Sequence, residues 1–117
     1  MLARANRLIT ADDYRAVLRK GRRNALPHSV VSLLGRQTGD PARFGFIVTK
    51  KVGNAVKRNL VRRRMKAIAW ELLDGGFTGA DVVVRALPTS AEAGWSTLRT
   101  EISSVLGGTA MNEGVSR

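Results

Sequence analysis

The chain has 117 residues, 44% of them hydrophobic, which suits one domain with a modest core. Twenty Lys and Arg against nine Asp and Glu give a net charge of +11, the balance of a chain that meets a polyanion. Zero Cys excludes a disulfide framework and thiolate metal sites and fits a reducing compartment, while no apolar run reaches membrane-span length and the start lacks a signal-peptide core, so a cytoplasmic, membrane-free location is expected.

The first nine residues, MLARANRLI, form a basic arm ending in two apolar residues, expected to lie extended on the domain. Thr10 then caps a helix over Ala11 to Lys20, with Asp12 and Asp13 complementing its dipole and Gly21 just past its end. Tyr14, Val17 and Leu18 make its apolar stripe. Pro27 opens a strand at about His28 to Gly35; His28 has no Cys, second His or Ser partner nearby and reads as structural. After the polar turn RQTGDPA, the strand Arg43 to Thr49 alternates Phe44, Phe46 and Val48 with Gly45, Ile47 and Thr49. One face buries aromatics; the smooth other face, beside a basic helix, is a groove candidate.

The stretch from Lys50 to Lys66, KKVGNAVKRNLVRRRMK, holds eight of the twenty basic residues, and no acid occurs between Asp40 and Glu71. Gly53 and Asn54 supply a turn and an N-cap, and Ala55 to Leu73 runs without Gly or Pro as one long helix. Val61, Met65, Ile68 and Leu72 fall within about 60° of one another at the helical repeat and form the buried stripe. Arg58, Asn59, Arg62, Arg63 and Lys66 spread over about 140° on the other side. A solvated face normally mixes signs so that i,i+4 pairs form; this one repels itself unless an external polyanion neutralises it, which makes phosphate the natural partner.

GGFTG ends the long helix, and DVVVRAL, Asp81 to Leu87, reads as a strand buried on both faces. Pro88 stops it. Thr89 and Glu92 offer a capping box for a last helix ending near Leu106, packed through Trp95, Leu98, Ile102 and Val105. Residues 1–106 are thus expected to form a single domain, which the resemblance given below makes an RNA-binding one, and residues 107–117 a flexible tail. The order helix, strand, strand, long helix, strand, helix describes an α+β fold, three helices against a small mixed sheet. No Ser/His/Asp or Cys/His set, metal cluster or phosphate loop is present, so the chain itself offers no catalytic site.

The Lys50 to Lys66 stretch resembles the central motif of the protein subunit of bacterial ribonuclease P, in which Lys-Val-Gly-x-Ala-Val leads into Arg-Asn-x-x-basic-basic-x-x-basic. Arg58, Asn59, Arg62, Arg63 and Lys66 match one for one; Ala67 stands where the family has Glu. Asp13, Val17 and Gly21 match a second pattern in which Tyr14 and Leu18 replace two Phe residues. The resemblance covers residues 7 to 106. It implies a fold like the second domain of ribosomal protein S5, with a left-handed β-α-β crossover, and a short extra strand near Arg22 to Ala25. It also implies function: the protein assists a catalytic RNA subunit that cleaves the 5′ leader from precursor tRNA, binding that RNA and the leader. No cofactor is then held by the protein alone, magnesium ions act in the RNA-protein holoenzyme, and no protein partner is implied. Lys50, Lys51, Lys57, Arg58, Asn59, Arg62, Arg63 and Lys66 become the expected RNA contacts. The leader cleft, placed between the sheet face and the long helix, would be lined by Tyr14, Leu18 and Ser32, with Lys50, Lys51, Arg58, Asn59 and Arg62. Ser32 stands where many relatives have Tyr. Tyr14 fits a core position equally well.

Two other classes share parts of this pattern. A ribosomal-type or RNA-chaperone module would share charge and fold but would have no role in tRNA processing. A membrane-surface or duplex-DNA binder would need an exposed apolar face or a groove-reading helix, and the long helix spends its apolar stripe on the core.

Overall fold

The computed structural model describes the backbone of residues 2–115 and side chains as far as residue 107. In chain order the elements are α1 (Ala11–Lys20), β1 (Arg22–Ala25), β2 (Ser29–Gly35), β3 (Arg43–Ile47), α2 (Ala55–Asp74), β4 (Ala80–Ala86) and α3 (Trp95–Val115), with 3-10 turns at Arg4–Asn6, Lys50–Val52 and Pro88–Glu92. Local signals set most of these bounds. The Thr10 hydroxyl accepts from Asp13 N–H at 3.1 Å and the Asn54 carbonyl oxygen accepts from Lys57 N–H at 3.0 Å, so both helices start on side-chain caps, each a contribution of about 1 kcal/mol. Gly53 has φ of 148°, and a Cβ there would lie 2.8 Å from the Lys57 side chain, so the entry to α2 requires glycine.

The sheet runs β1-β2-β4-β3. β1/β2 and β2/β4 are antiparallel, whereas β3 and β4 are parallel neighbours joined through α2. The valine run of β4 places it inside the sheet, buried at every position but Arg85. Because side chains alternate across a strand, each strand feeds two layers. Phe44, Phe46, Val82 and Val84 pack with Val61, Met65 and Ile68 of α2 and Leu98 and Ile102 of α3. Val83, Ile47 and Leu34 face the other way, onto Val17 and Tyr14 of α1 and Leu8 of the arm. The arm is bound at the free edge of β3: Leu8 N–H donates to the Phe44 carbonyl at 2.9 Å, and the Asn6 side chain donates to the Ala42 carbonyl at 2.8 Å.

One ion pair fixes the β3/β4 register. Arg43 and Asp81 are cross-strand partners, and the guanidinium meets the carboxylate with two bonds of 2.8 and 2.7 Å. The Asp81 carboxylate is buried, with Arg36 a further 3.7 Å neighbour, and these bonds raise the Arg43 pKa above its ordinary value. His28 is structural too. Its Nδ1 lies 2.7 Å from one Glu101 carboxylate oxygen while its backbone N–H donates to the other, tying the start of β2 to α3.

The last helix departs from expectation at both ends. Thr89 and Glu92 lie in the Pro88–Glu92 3-10 turn and cap nothing; the Thr89 hydroxyl donates to the Pro27 carbonyl, and α3 begins after Gly94. Glycine at position 94 separates the turn from the helix, which a box spanning Thr89 to Glu92 does not allow for. At the other end α3 continues past Leu106 to Val115, through Gly107, Gly108 and Gly114, each of which weakens a helix by about 1 kcal/mol without forbidding it. For the expected tail, residues 116–117 and the side chains from 108 onward lie outside the described residues.

Candidate nucleic-acid interface

Three of the four residues predicted for the buried stripe of α2 are buried, Val61, Met65 and Ile68 at 0 to 1% exposure; Leu72 is only partly buried, and Ala69 is buried in addition. That fixes where the cations point. Asn59, Arg63 and Lys66 lie on the far side and are exposed, as are Lys50, Lys51 and Lys57 around the turn that opens the helix. Arg58 and Arg62 are half-buried at the stripe's border: Arg58 donates to the Gly53 carbonyl at 3.3 Å, and Arg62 to the Asn59 side-chain oxygen at 3.0 Å. Arg64, on the opposite border, turns inward and donates to the Ala93 carbonyl at 2.7 Å. Among the described residues none of the eight cations from Lys50 to Lys66 forms an ion pair.

Of the three expected leader-cleft residues, only Tyr14 shares a hollow with α2; Leu18 and Ser32 do not. The smooth positions of β3, Gly45 and Ile47, face α1, whereas α2 covers the Phe44 and Phe46 face. The groove expected between a smooth sheet face and the long helix therefore does not form there: alternation sets which residues share a face, but which layer covers that face is a long-range property. Ser32 is 4% exposed on the α1 side, paired with Val83, and Leu18 is half exposed on the outside of α1. Tyr14 alone reaches the α2 cations, around the free edge of β3. It lines a hollow of about 230 Å³ with Arg7, Phe44, Phe46, Arg62 and Lys66.

Arg7 escaped the sequence reading. It is exposed and borders both that hollow and a larger one shared with Arg63 and Lys66. The signal was available in the pairing of a basic arm with an apolar anchor, since burying Leu8 holds Arg7 in place. Among the described residues no three His, Cys, Asp or Glu side chains come together as metal ligands. No helix among them is long and apolar enough to cross a membrane. What the surface does offer is fixed positive charge along a helix and a partly apolar, aromatic-floored hollow beside it, the chemistry of phosphate and unstacked base together.

A family model described as Ribonuclease P matches residues 2–109. The chain belongs to the ribonuclease P protein family. It is 48% identical over 106 residues to the ribonuclease P protein component of Clavibacter michiganensis, covering 91% of this chain and 94% of that one. To the corresponding component of Pseudarthrobacter chlorophenolicus it is 45% identical, covering 91% and 78%. Among solved structures, the ribonuclease P protein of Staphylococcus aureus superposes with a TM-score of 0.78 at 24% identity, over 91% of this chain and 96% of that one. That of Thermotoga maritima gives 0.74 at 24% identity, over 86% and 94%. These two likenesses bear on the fold, and this chain's own four-stranded mixed sheet with its helices is of the α+β kind that the sequence implied. Family membership supports the reading as a ribonuclease P subunit and disfavours the ribosomal-type or chaperone alternative.

Proposed function

We propose that this chain is the non-catalytic, RNA-binding subunit of ribonuclease P, and that it binds both the catalytic RNA subunit and the 5′ leader of precursor tRNA. The observation that carries the reading is the set of eight cations between Lys50 and Lys66, none with a carboxylate partner among the described residues. In water such a face stores repulsion that RNA phosphates relieve, with counterion release driving the association. Arg63, Lys66 and Asn59 project outward as the contacts to the RNA subunit, and Lys50, Lys51 and Lys57 extend them around the Gly53 turn. Hydrolysis of the leader is magnesium-dependent chemistry on the RNA; this chain's part is to neutralise backbone phosphates nearby, which lets the RNA take up magnesium at lower concentration. A cytoplasmic location follows from that role.

The leader is assigned to the hollow at the β3 edge, where Tyr14 and Phe46 offer ring surface and Arg7, Arg62 and Lys66 offer charge. Leu18 and Ser32 contribute little there, so leader binding leans on charge and shows little sequence preference. The test is the affinity of the assembled complex for precursor tRNA with and without its leader. Tyr14→Leu should weaken leader-bearing tRNA by about tenfold, one stacked base, and leave mature tRNA unchanged. If both affinities move together, or neither moves, the leader lies elsewhere.

A further inference from the structure

α2 carries a large aromatic side chain, Trp70, on its exposed side. Trp70 is 46% exposed, belongs to neither core cluster, and makes no ring or cation contact among the described residues. Trp95, by contrast, is half-buried with the Arg99 guanidinium 5.4 Å from its ring centre. At the helical repeat Asn59, Arg63, Lys66 and Trp70 fall within about 60° of one another, all on the solvent side. A helical side chain leans over the turn preceding it, and for Trp70 that turn carries Lys66 and Ala67. Those two residues border, with Leu2, Arg7 and Arg63, a hollow of about 400 Å³. The acid on this stripe, Asp74, comes one turn beyond Trp70, at the far end from the cations, and Glu71 is spent on Arg99 at 2.6 Å.

We propose that Trp70 is a stacking platform for an unpaired base of the RNA subunit, with Arg63 and Lys66 holding the phosphates on its 5′ or 3′ side. The inference rests on the reading of α2 as the RNA-facing helix and adds to it a contact that charge alone does not provide. An indole face stacks on any base and discriminates unpaired from paired RNA, whereas Arg63 and Lys66 attract both. Asp74 marks the limit of the polyanion's path. A second copy of this chain is the wrong occupant, because the apolar ring is framed by cations on a chain of net charge +11.

The test uses the full chain with Trp95→Phe, so that Trp70 alone reports by fluorescence, titrated with the ribonuclease P RNA subunit and, separately, with a blunt RNA duplex at equal phosphate concentration. Quenching by the RNA subunit and not by the duplex is expected. Trp70→Ala should weaken RNA-subunit binding by about 5- to 150-fold, and Trp70→Phe should retain most of the affinity. Equal quenching by both RNAs, quenching that appears only when leader-bearing tRNA is added, or an affinity indifferent to Trp70→Ala overturns the proposal. So does a dimer in sedimentation that Trp70→Ala dissolves. Arg63→Ala measured alongside separates the two levels: if it weakens binding while Trp70→Ala does not, stacking alone fails, and if neither weakens it, the RNA-facing reading of α2 fails as well.

Discussion

The ring of Tyr14 occupies the space that a side chain on Gly45 would fill: a Cβ built there lies 2.5 Å from the phenol ring. The same phenol oxygen accepts a hydrogen bond from Phe46 N–H at 3.3 Å, at the edge of β3. Tyr14 is therefore both a packing residue and the aromatic floor of the hollow facing Arg62 and Lys66. Gly45→Ala should cost about 1 to 3 kcal/mol in urea unfolding through overpacking, and much less when Tyr14 is first replaced by Ala. Equal costs in the two backgrounds would show that Tyr14 does not seat on Gly45.

Breaking the Arg43–Asp81 pair tests the register of the parallel strands. Asp81→Asn leaves the Arg43 and Arg36 guanidinium groups facing a neutral amide in a largely buried position, at a predicted cost of about 3 kcal/mol. Arg36→Ala, which removes the 3.7 Å neighbour and the 2.7 Å bond to the Pro41 carbonyl but spares the two-bond pair, should cost less, about 0.5 to 1.5 kcal/mol. Thermal melts of both variants check this.

On α2 the two faces should separate folding from function. Met65→Ala, at 1% exposure, is expected to cost about 2 to 5 kcal/mol of stability. Arg63→Ala should leave the melting temperature unchanged and weaken RNA binding. Arg58→Ala is intermediate: it removes the bond to the Gly53 carbonyl, worth about 0.5 to 1.5 kcal/mol, as well as a phosphate contact. Three equal melting losses would mean that the faces are assigned wrongly.

Much of this was legible because it is local. The Thr10 cap and Gly21 bounded α1 as observed at Ala11–Lys20, and the Asn54 cap with the Val61, Met65, Ile68 spacing oriented α2, so the cationic face followed from the buried one. What was not legible depends on contacts distant in sequence. Nothing in the alternation of β3 tells whether Gly45 lies under α1 or faces α2. Asp81 read as a strand start rather than the partner of Arg43, 38 residues earlier. Ser32 was a lining residue by family resemblance alone, and its burial on the α1 side depends on sheet order. Trp70 lies on the helix's polar side, where apolar periodicity gives it no role, and only its exposure singles it out.

Binding to the RNA subunit should fall steeply with salt. If the α2 face neutralises about five phosphates, a fourfold rise in salt weakens binding by about a hundred- to five-hundred-fold. A nearly flat dependence in filter binding would remove this face as the principal contact.

The most direct measurement is cleavage of precursor tRNA by a ribonuclease P RNA at magnesium too low for the RNA alone, with and without this protein. The account predicts that the protein restores cleavage at the 5′ end of the mature tRNA, that Arg63→Ala reduces the restoration, and that the protein without RNA cleaves nothing. Cleavage by the protein alone, or no restoration by a folded, RNA-binding chain, would contradict it.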